Sequence, residues 1–296
     1  MAACSYKNNN SEDSVWYPEV ISLGPGGEKG YIELGVLHTL YINGFLTKVH
    51  TYIGCSVGAA ISLLMVCGYE PSTIINRTMK IEVFKDLHSI DISKLKTNGG
   101  LLKNNTLRDY LTQQILLKFG YIPTFEQLYK QTNINLTVVS NNLNQGCGVY
   151  FSHISHPDMS VIDAVALSAN IPGIFERVQY DGDTYIDGAF ADPHPVNYYD
   201  NGKTRILGLY ITTKHTEPEE PDSEFDVLNY FARILYSSMT IHRREKQKTL
   251  SKACRQLRLF VRERENLTID NKITLVVSGI SSGNGFIQRL ITEALE

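Results

Sequence analysis

Short apolar runs alternate with longer helical patterns from the start of the chain. Val20–Leu23 is short and apolar, as a buried strand is, and a glycine-rich turn separates it from leucines at helical spacing over Leu34–Leu40. A second unit of the same kind begins with the apolar pair Tyr52–Ile53, turns at Gly54–Gly58 and continues as an apolar helix over Ala60–Met65. Two strand–turn–helix units in tandem indicate a mainly parallel sheet covered by helices.

The same periodicities predict further elements downstream. Helices are predicted at Leu107–Phe119, Phe125–Tyr129, Val161–Ala169 and Phe225–Cys254, and strands at Leu136–Ser140, Thr184–Ile186, Ile206–Ile211 and Leu257–Val261. No linker-like composition, charge block or internal repeat divides the chain. We therefore expect one α/β domain over residues 17–296, after a polar lead-in at 1–16 that is expected to be disordered.

Composition excludes several classes of protein. The chain has 296 residues and a net charge of -3, whereas a nucleic-acid-binding protein needs a concentrated positive surface. Its five cysteines are odd in number and form no CxxC pair, so neither a zinc site nor a disulfide framework is predicted. We expect no metal, no cofactor and no nucleic-acid partner, and a reduced intracellular setting because no secretory signal precedes the domain.

One uncharged stretch approaches the length of a membrane span. Residues 51–69 carry no charge, but they begin with a strand-like run, contain a glycine–serine turn and stop at Glu70-Pro71. A buried strand, turn and helix explain this pattern better than a transmembrane helix does.

The glycine–serine turn is the first candidate for chemistry. Gly54-Cys55-Ser56-Val57-Gly58 has the GxSxG pattern, in which a serine lies on a turn so tight that its flanking positions accept only small residues. The helix that follows points its amide groups at the serine and stabilises negative charge there. A helix-capping serine is the plainer alternative for this motif.

A glycine loop and an Asp-Gly sequence are the second and third candidates. The segment from Gly24 to Gly30 fits neither a dinucleotide fingerprint nor a phosphate-binding P-loop, but it can expose backbone N–H groups as an oxyanion hole does. Its alternative role is a plain connection with Lys29 in solvent. Asp187, followed by Gly188, ends an apolar strand and can act as a shielded base, although an ordinary Asp-Gly turn has the same sequence.

Together the three motifs, in this order, resemble the patatin-like phospholipase family. The resemblance is strongest over residues 20–196 and includes the segments 99–102, 124–128 and 164–175. It implies a three-layer α/β/α sandwich with a mostly parallel central sheet. It also implies a calcium-independent lipid acyl hydrolase that cleaves fatty-acyl esters of phospholipids or other lipids through an acyl-serine intermediate.

Transferred onto this chain, the resemblance assigns a role to each matching residue. Ser56 is the nucleophile and Asp187 the base of a dyad without histidine, and the amides of Gly26 and Gly27 form the oxyanion hole. The supporting motif residues are Lys29, Gly30, Gly54, Gly58 and Gly188. Two positions depart from the family pattern: Pro25, which has no N–H to donate, and Glu28, where a small or apolar residue is common.

Two other functions remain open on the sequence. One is a conventional Ser-His-Asp esterase that uses His194, a residue between two prolines for which a surface turn is the alternative role. The other is a lipid-binding or scaffolding protein that has kept the fold and lost turnover, which the proline in the glycine loop makes conceivable.

A cluster of basic residues suggests peripheral membrane contact. Seven cations follow or lie in the predicted helix Phe225–Cys254: Arg243, Arg244, Lys246, Lys248, Lys252, Arg255 and Arg258. They form either a docking face for anionic lipid or a solvated face that opposes the helix dipole.

Overall fold

The computed structural model describes residues 15–81, 97–214, 227–262 and 268–296. Helices in these ranges are α1 (Tyr31–Ile42), α2 (Val57–Val66), α3 (Pro71–Thr78), α4 (Asn105–Phe119), α5 (Phe125–Thr132), α6 (Val161–Ser168), α7 (Val227–Gln247) and α8 (Ile269–Leu295). Strands are β1 (Val20–Leu23), β2 (Thr51–Cys55), β3 (Gly100–Leu102), β4 (Asn135–Asn142), β5 (Cys147–Phe151), β6 (Gly173–Phe175), β7 (Val178–Tyr180), β8 (Asp183–Asp187), β9 (Ile206–Lys214) and β10 (Cys254–Arg262).

Eight of these strands form one mostly parallel sheet. Its order is β10-β9-β1-β2-β4-β8-β7, with β5 paired to β4. The pairs among β10, β9, β1, β2 and β4 are parallel, and β5, β7 and β8 pair antiparallel. A separate small sheet pairs β3 with β6.

Helices cover both faces of this sheet, as the side chains of β1 illustrate. Ile21 and Leu23 point into the larger core, which α1, α2 and α8 close. Val20 points the other way, into a smaller core that includes Ile53 and receives Met239 from α7. Successive side chains of a strand face opposite sides, so a strand buried on both faces is mainly apolar. The result is the expected three-layer α/β/α arrangement.

The sequence pattern predicted most of these elements, but it was wrong about the end of the long helix. Helix α7 ends at Gln247 rather than at Cys254, and Phe225 lies outside the described residues. Ser251 donates its amide to Asp200 at 2.7 Å and its hydroxyl to the same carboxylate, which turns the chain into β10. The basic cluster is therefore split between a helix, a turn and a strand.

Helix α8 was not predicted, although it has 27 residues. It crosses α1 where Gly35 and Gly279 meet: a Cβ at Gly35 would lie 2.2 Å from the carbonyl oxygen of Val276, and one at Gly279 would lie 2.1 Å from that of Ile32. Only glycine allows the two backbones to approach so closely. The C-terminal helix is thus a tightly packed part of the larger core.

Two further expectations concern the ends of the chain and membranes. Residues 1–14 of the predicted lead-in lie outside the described residues, and Trp16 packs edge-on against Phe286 of α8. Among the helices that the structure describes, none is long and apolar enough to cross a membrane.

Candidate active site

Ser56 occupies a strained turn between β2 and α2. Its φ is 56° and its ψ is -125°, a backbone conformation that non-glycine residues rarely adopt. The flanking glycines are needed sterically: a Cβ at Gly54 would lie 2.4 Å from the carbonyl oxygen of Gly58, and one at Gly58 would lie 2.5 Å from that of Leu23. The two glycines thus allow the sharp turn that the GxSxG pattern predicts.

The pairing of β4 explains how Asp187 reaches this serine. Val139 of β4 pairs with Cys55 of β2, and the next residue, Ser140, pairs with Asp187 of β8. Strand β5 pairs with the other edge of β4. Strands β2 and β8 therefore share one edge of β4, and β8 begins to pair where β2 ends. Because β8 runs antiparallel, its last residue arrives at the carboxyl end of β2, where Ser56 lies.

Ser56 and Asp187 form a buried pair. Asp187 is 3% exposed, and the Ser56 side chain lies close enough to its carboxyl to lower the carboxyl's pKa. Its Oδ1 accepts the amide of Ala189 at 2.8 Å, and the Cys55 thiol lies 3.8 Å away. Burial raises the pKa of the Asp187 carboxyl from 3.8 to about 6, against the opposing effect of these hydrogen bonds.

Gly188 fixes the backbone behind the acid. A Cβ at this position would lie 2.1 Å from the carbonyl oxygen of Val139 and 3.2 Å from the sulfur of Cys55. Burial raises the pKa of the Cys55 thiol well above its usual range, so this neighbour of the carboxylate stays neutral. The Asp-Gly sequence is therefore a packed feature and not an exposed turn.

The glycine loop lies beside Ser56 and leads into α1. Gly27 has a φ of 53°, which favours glycine, and it lines the same cavity as Ser56. The amide of Lys29 donates to the carbonyl of Gly26 at 3.0 Å and closes a short helical turn over Gly27–Gly30. A Cβ at Gly30 would lie 2.9 Å from the Val57 side chain, so this glycine packs the loop against α2.

A buried acid of α1 supports the glycine loop, and sequence analysis did not predict it. Glu33 of α1 is fully buried, its Oε1 accepts the amide of Gly24 at 3.3 Å, and its Oε2 has no hydrogen-bond partner among the described residues. Burial raises the pKa of this carboxyl well above its usual range.

Residues 168–170 contribute two further contacts that the sequence did not predict. The amide of Ser56 donates to the hydroxyl of Ser168 at 2.9 Å, and the amide of Asp187 donates to the carbonyl of Asn170 at 2.8 Å. Both residues lie in the segment 164–175, whose resemblance to the family was the available signal. Polar groups in this segment thus hold both members of the pair.

An apolar cavity of about 120 Å³ opens at Ser56. Its wall includes side chains from α1, α2, α3 and α4, with Tyr31, Leu64, Ile74 and Leu111 among them. Ser56 itself is 5% exposed, so a reacting group must enter this cavity to meet it. A cavity of this kind can accept a hydrocarbon chain.

His194 lies in a different cluster and is not the surface residue that its prolines suggested. It is fully buried over Gly208, and its Nε2 is hydrogen-bonded to Gln256 Oε1 at 3.1 Å. Burial lowers the pKa of its imidazole to about 4. Neither Ser56 nor Asp187 is among its hydrogen-bond partners in the described part of the chain, so the structure does not bring His194 to this pair.

A change at this histidine separates folding from catalysis. The imidazole is neutral in the folded protein down to about pH 4 and titrates near 6.5 when unfolded, so protons favour the unfolded state. Stability that is present above pH 6.5 is therefore lost as the pH falls towards 4, by up to about 3 kcal/mol. We expect His194→Gln, which keeps an amide beside Gln256, to lose less stability over this range in urea unfolding.

His242→Gln provides the matched control, because it makes the same substitution at an exposed histidine. Acyl release should persist in folded His194→Gln. Loss of that activity with an intact fold would replace the dyad with a triad.

The site contains no metal-binding geometry in the described residues, where no three His, Cys, Asp or Glu side chains are grouped to hold an ion. The fold and the position of the serine define the class of protein. It is an α/β protein with a mostly parallel sheet, in which a serine lies on the sharp turn between strand β2 and helix α2.

Comparison with known proteins identifies the family. Residues 21–199 match the patatin-like phospholipase family, and the chain belongs to it. It is 30% identical to "Probable lipid hydrolase 463L" of Invertebrate iridescent virus 6. The alignment spans 204 residues and covers 66% of this chain and 69% of the relative. Membership in this family and this relative support lipid acyl hydrolase activity.

Solved structures agree on the fold. VipD from Legionella pneumophila superposes with a TM-score of 0.54 at 14% identity, over 93% of this chain and 67% of that one. The type III effector protein ExoU superposes with a TM-score of 0.51 at 14% identity, over 94% of this chain and 54% of that one. At such identities the likeness concerns architecture alone.

Proposed function

We propose that this protein is a phospholipase A-like lipid acyl hydrolase that works through an acyl-serine intermediate. Ser56 is the nucleophile, Asp187 the base, and the amides of Gly26 and Gly27 the oxyanion hole. The observation that carries this proposal is a strained serine beside a buried carboxylate of raised pKa, at the opening of an apolar cavity.

In the first half of the reaction, the hydroxyl of Ser56 attacks the ester carbonyl while Asp187 accepts its proton. The carbonyl oxygen becomes an oxyanion, which backbone amides and the N-terminus of α2 stabilise. The alcohol then leaves with the proton held by Asp187, and the acyl group stays on the serine oxygen. Water repeats the sequence in the second half and releases the fatty acid.

The raised pKa of Asp187 suits this role. A carboxylate of ordinary pKa is a poor base at neutral pH, and burial brings this group closer to the operating pH while leaving it ionised at pH 7. Oxyanion stabilisation supplies much of the remaining barrier reduction, about 3 kcal/mol for each donor in comparable hydrolases. Pro25 has no amide hydrogen, so the donors are the glycines that follow it.

The substrate class follows from the cavity. Its wall is almost entirely hydrocarbon, which binds an acyl chain by burial of apolar surface rather than by polar recognition.

Contact with a membrane surface remains a prediction. Three cations of the basic cluster are paired: Lys246 with buried Asp192, Lys248 with Glu245, and Arg255 with Glu293.

The test is acyl release from a lipid panel, measured by mass spectrometry in the presence of a chelator. We expect free fatty acid from wild type and a phosphonyl adduct on Ser56 after treatment with a fluorophosphonate lipid analogue. A folded protein that binds lipid but neither releases fatty acid nor reacts with the probe would instead be the lipid-binding or scaffolding protein.

A further inference from the structure

A lysine from the C-terminal helix is buried behind the cavity wall. Lys272, in the first turn of α8, is 1% exposed, and its ammonium donates to the carbonyls of Met79 at 3.3 Å and Ile81 at 2.6 Å. The same ammonium lies 5.4 Å from the centre of the Tyr31 ring. A buried ammonium is costly unless it is hydrogen-bonded, so these contacts hold it in one geometry.

The groups that Lys272 contacts belong to one side of the cavity. Tyr31 and Ile81 line the cavity directly, as does Thr78 at the end of α3. The Thr78 side chain lies near the Tyr31 hydroxyl and lowers its pKa against the larger, opposite effect of burial. Lys272 thereby connects the end of α3, the residues just after it, and the ring at the start of α1.

The position of Lys272 is itself fixed by the helix crossing. Gly279 and Gly283, two and three turns further along α8, pack against Gly35 and Thr39 of α1. Helix α8 cannot slide along α1 without a clash, because Gly35 and Gly279 meet backbone to backbone and Gly283 lies against the Thr39 side chain. Lys272 lies outside the residues that match the family, 21–199, so this support of the wall belongs to the chain's own C-terminal part.

We propose that Lys272 is a positioning residue that sets acyl-chain selectivity. It holds Tyr31 and the carboxyl end of α3 against the cavity, and it thereby limits the length and shape of chain that the cavity accepts. The inference rests on the proposed function, since it concerns the acyl group that is bound next to Ser56.

The test is a chain-length profile of kcat and KM for p-nitrophenyl esters of short to long fatty acids. Lys272→Met keeps the aliphatic stem and removes the ammonium, which frees the carbonyls of Met79 and Ile81. We expect the ratio of kcat/KM between long and short esters to change about tenfold, an effect comparable to that of one or two methylene groups in an apolar pocket. The change should lie mainly in KM.

Leu275→Ala is the matched control, because Leu275 lies one turn further along α8 in the larger core and does not line the cavity. It should lower the melting temperature and leave the chain-length ratio as in wild type. An unchanged ratio in Lys272→Met, or an equal change in both variants, would overturn the inference and leave Lys272 a purely structural residue. Should Lys272→Met not fold, Lys272→Gln retains one donor and is expected to change the ratio in the same direction.

A binding measurement distinguishes this inference from the proposed function. Fluorescent fatty acids of different lengths are titrated into folded Ser56→Ala, with and without Lys272→Met. A protein that hydrolyses no ester contradicts the proposed function, whereas an altered length preference in this titration still supports the role of Lys272. An identical preference in both proteins contradicts that role.

Discussion

Ser56→Ala is expected to lower acyl release by about 10⁴-fold or more, as removal of a nucleophile does in other serine hydrolases. The reason is that the variant keeps the cavity and the backbone amides but has no oxygen to accept the acyl group. Stability should change little, because alanine keeps the Cβ and the strained backbone, whose φ is 56°. The measurement is kcat/KM on an acyl ester, together with circular dichroism to establish folding.

Ser62 offers a matched control on the same helix. It is fully buried, its hydroxyl has no hydrogen-bond partner among the described residues, and it does not line the cavity, so Ser62→Ala removes the same atom away from the site. Its turnover and its labelling by a fluorophosphonate should equal those of wild type. Labelling that persisted in folded Ser56→Ala would identify another nucleophile and invalidate the assignment.

The parallel part of the sheet could be predicted because its signals are local. Strands β1 and β2 are short, mainly apolar runs, and each is followed by a glycine turn and an apolar helix, so length and periodicity sufficed. The sequence also indicated Ser56 and Asp187 as candidates, because each lies in a short motif with a specific steric requirement.

Helix α8 could not be predicted in the same way. Its sequence contains Gly279, Gly283 and Gly285 among several serines, residues that lower helix propensity and are typical of loops. Two of these glycines instead permit close packing on α1, and this tertiary contact outweighs the local preference. The end of α7 was predicted wrongly for a related reason. A hydrogen bond from Ser251 to Asp200, which is distant in sequence, turns the chain away from the helix.

The supporting residues of the site depend on contacts between distant parts of the chain. Ser168 lies 112 residues from Ser56, and nothing in its immediate sequence distinguishes it from a serine at the end of a helix. The burial of Glu33 and His194 was equally invisible, since charged and imidazole side chains are usually exposed. Sequence motifs thus indicated the candidate reacting groups, while the contacts that position them became visible only in the fold.

Asp187→Asn is expected to reduce kcat/KM by roughly 10² to 10⁴-fold, because the amide keeps the shape of the side chain but cannot accept the serine proton. Wild-type kcat/KM should rise with pH through a pKa of about 6, which is the value that burial gives this carboxyl in the free enzyme. The measurement is a pH profile on an uncharged ester. A profile that is flat between about pH 5 and pH 7 would contradict the role of Asp187 as the base.

The same substitution should stabilise the protein, and the sign follows from the raised pKa of Asp187. The folded protein holds this proton up to about pH 6, whereas the unfolded chain releases it near 3.8, so protonation favours folding. That stability is fully present below pH 3.8 and is lost as the pH rises through 6, which costs wild type about 3 kcal/mol at pH 8. Asp187→Asn avoids this cost, so its free energy of unfolding should exceed that of wild type at pH 8 by up to this amount and approach it near pH 4.

Asp181→Asn is the control, because Asp181 and Gly182 form an ordinary turn with positive φ that asparagine also accepts, and it should alter neither activity nor this pH dependence. An Asp187→Asn protein that is less stable than wild type at every pH would show that the carboxylate is held for the fold, and that its burial is not a cost of catalysis.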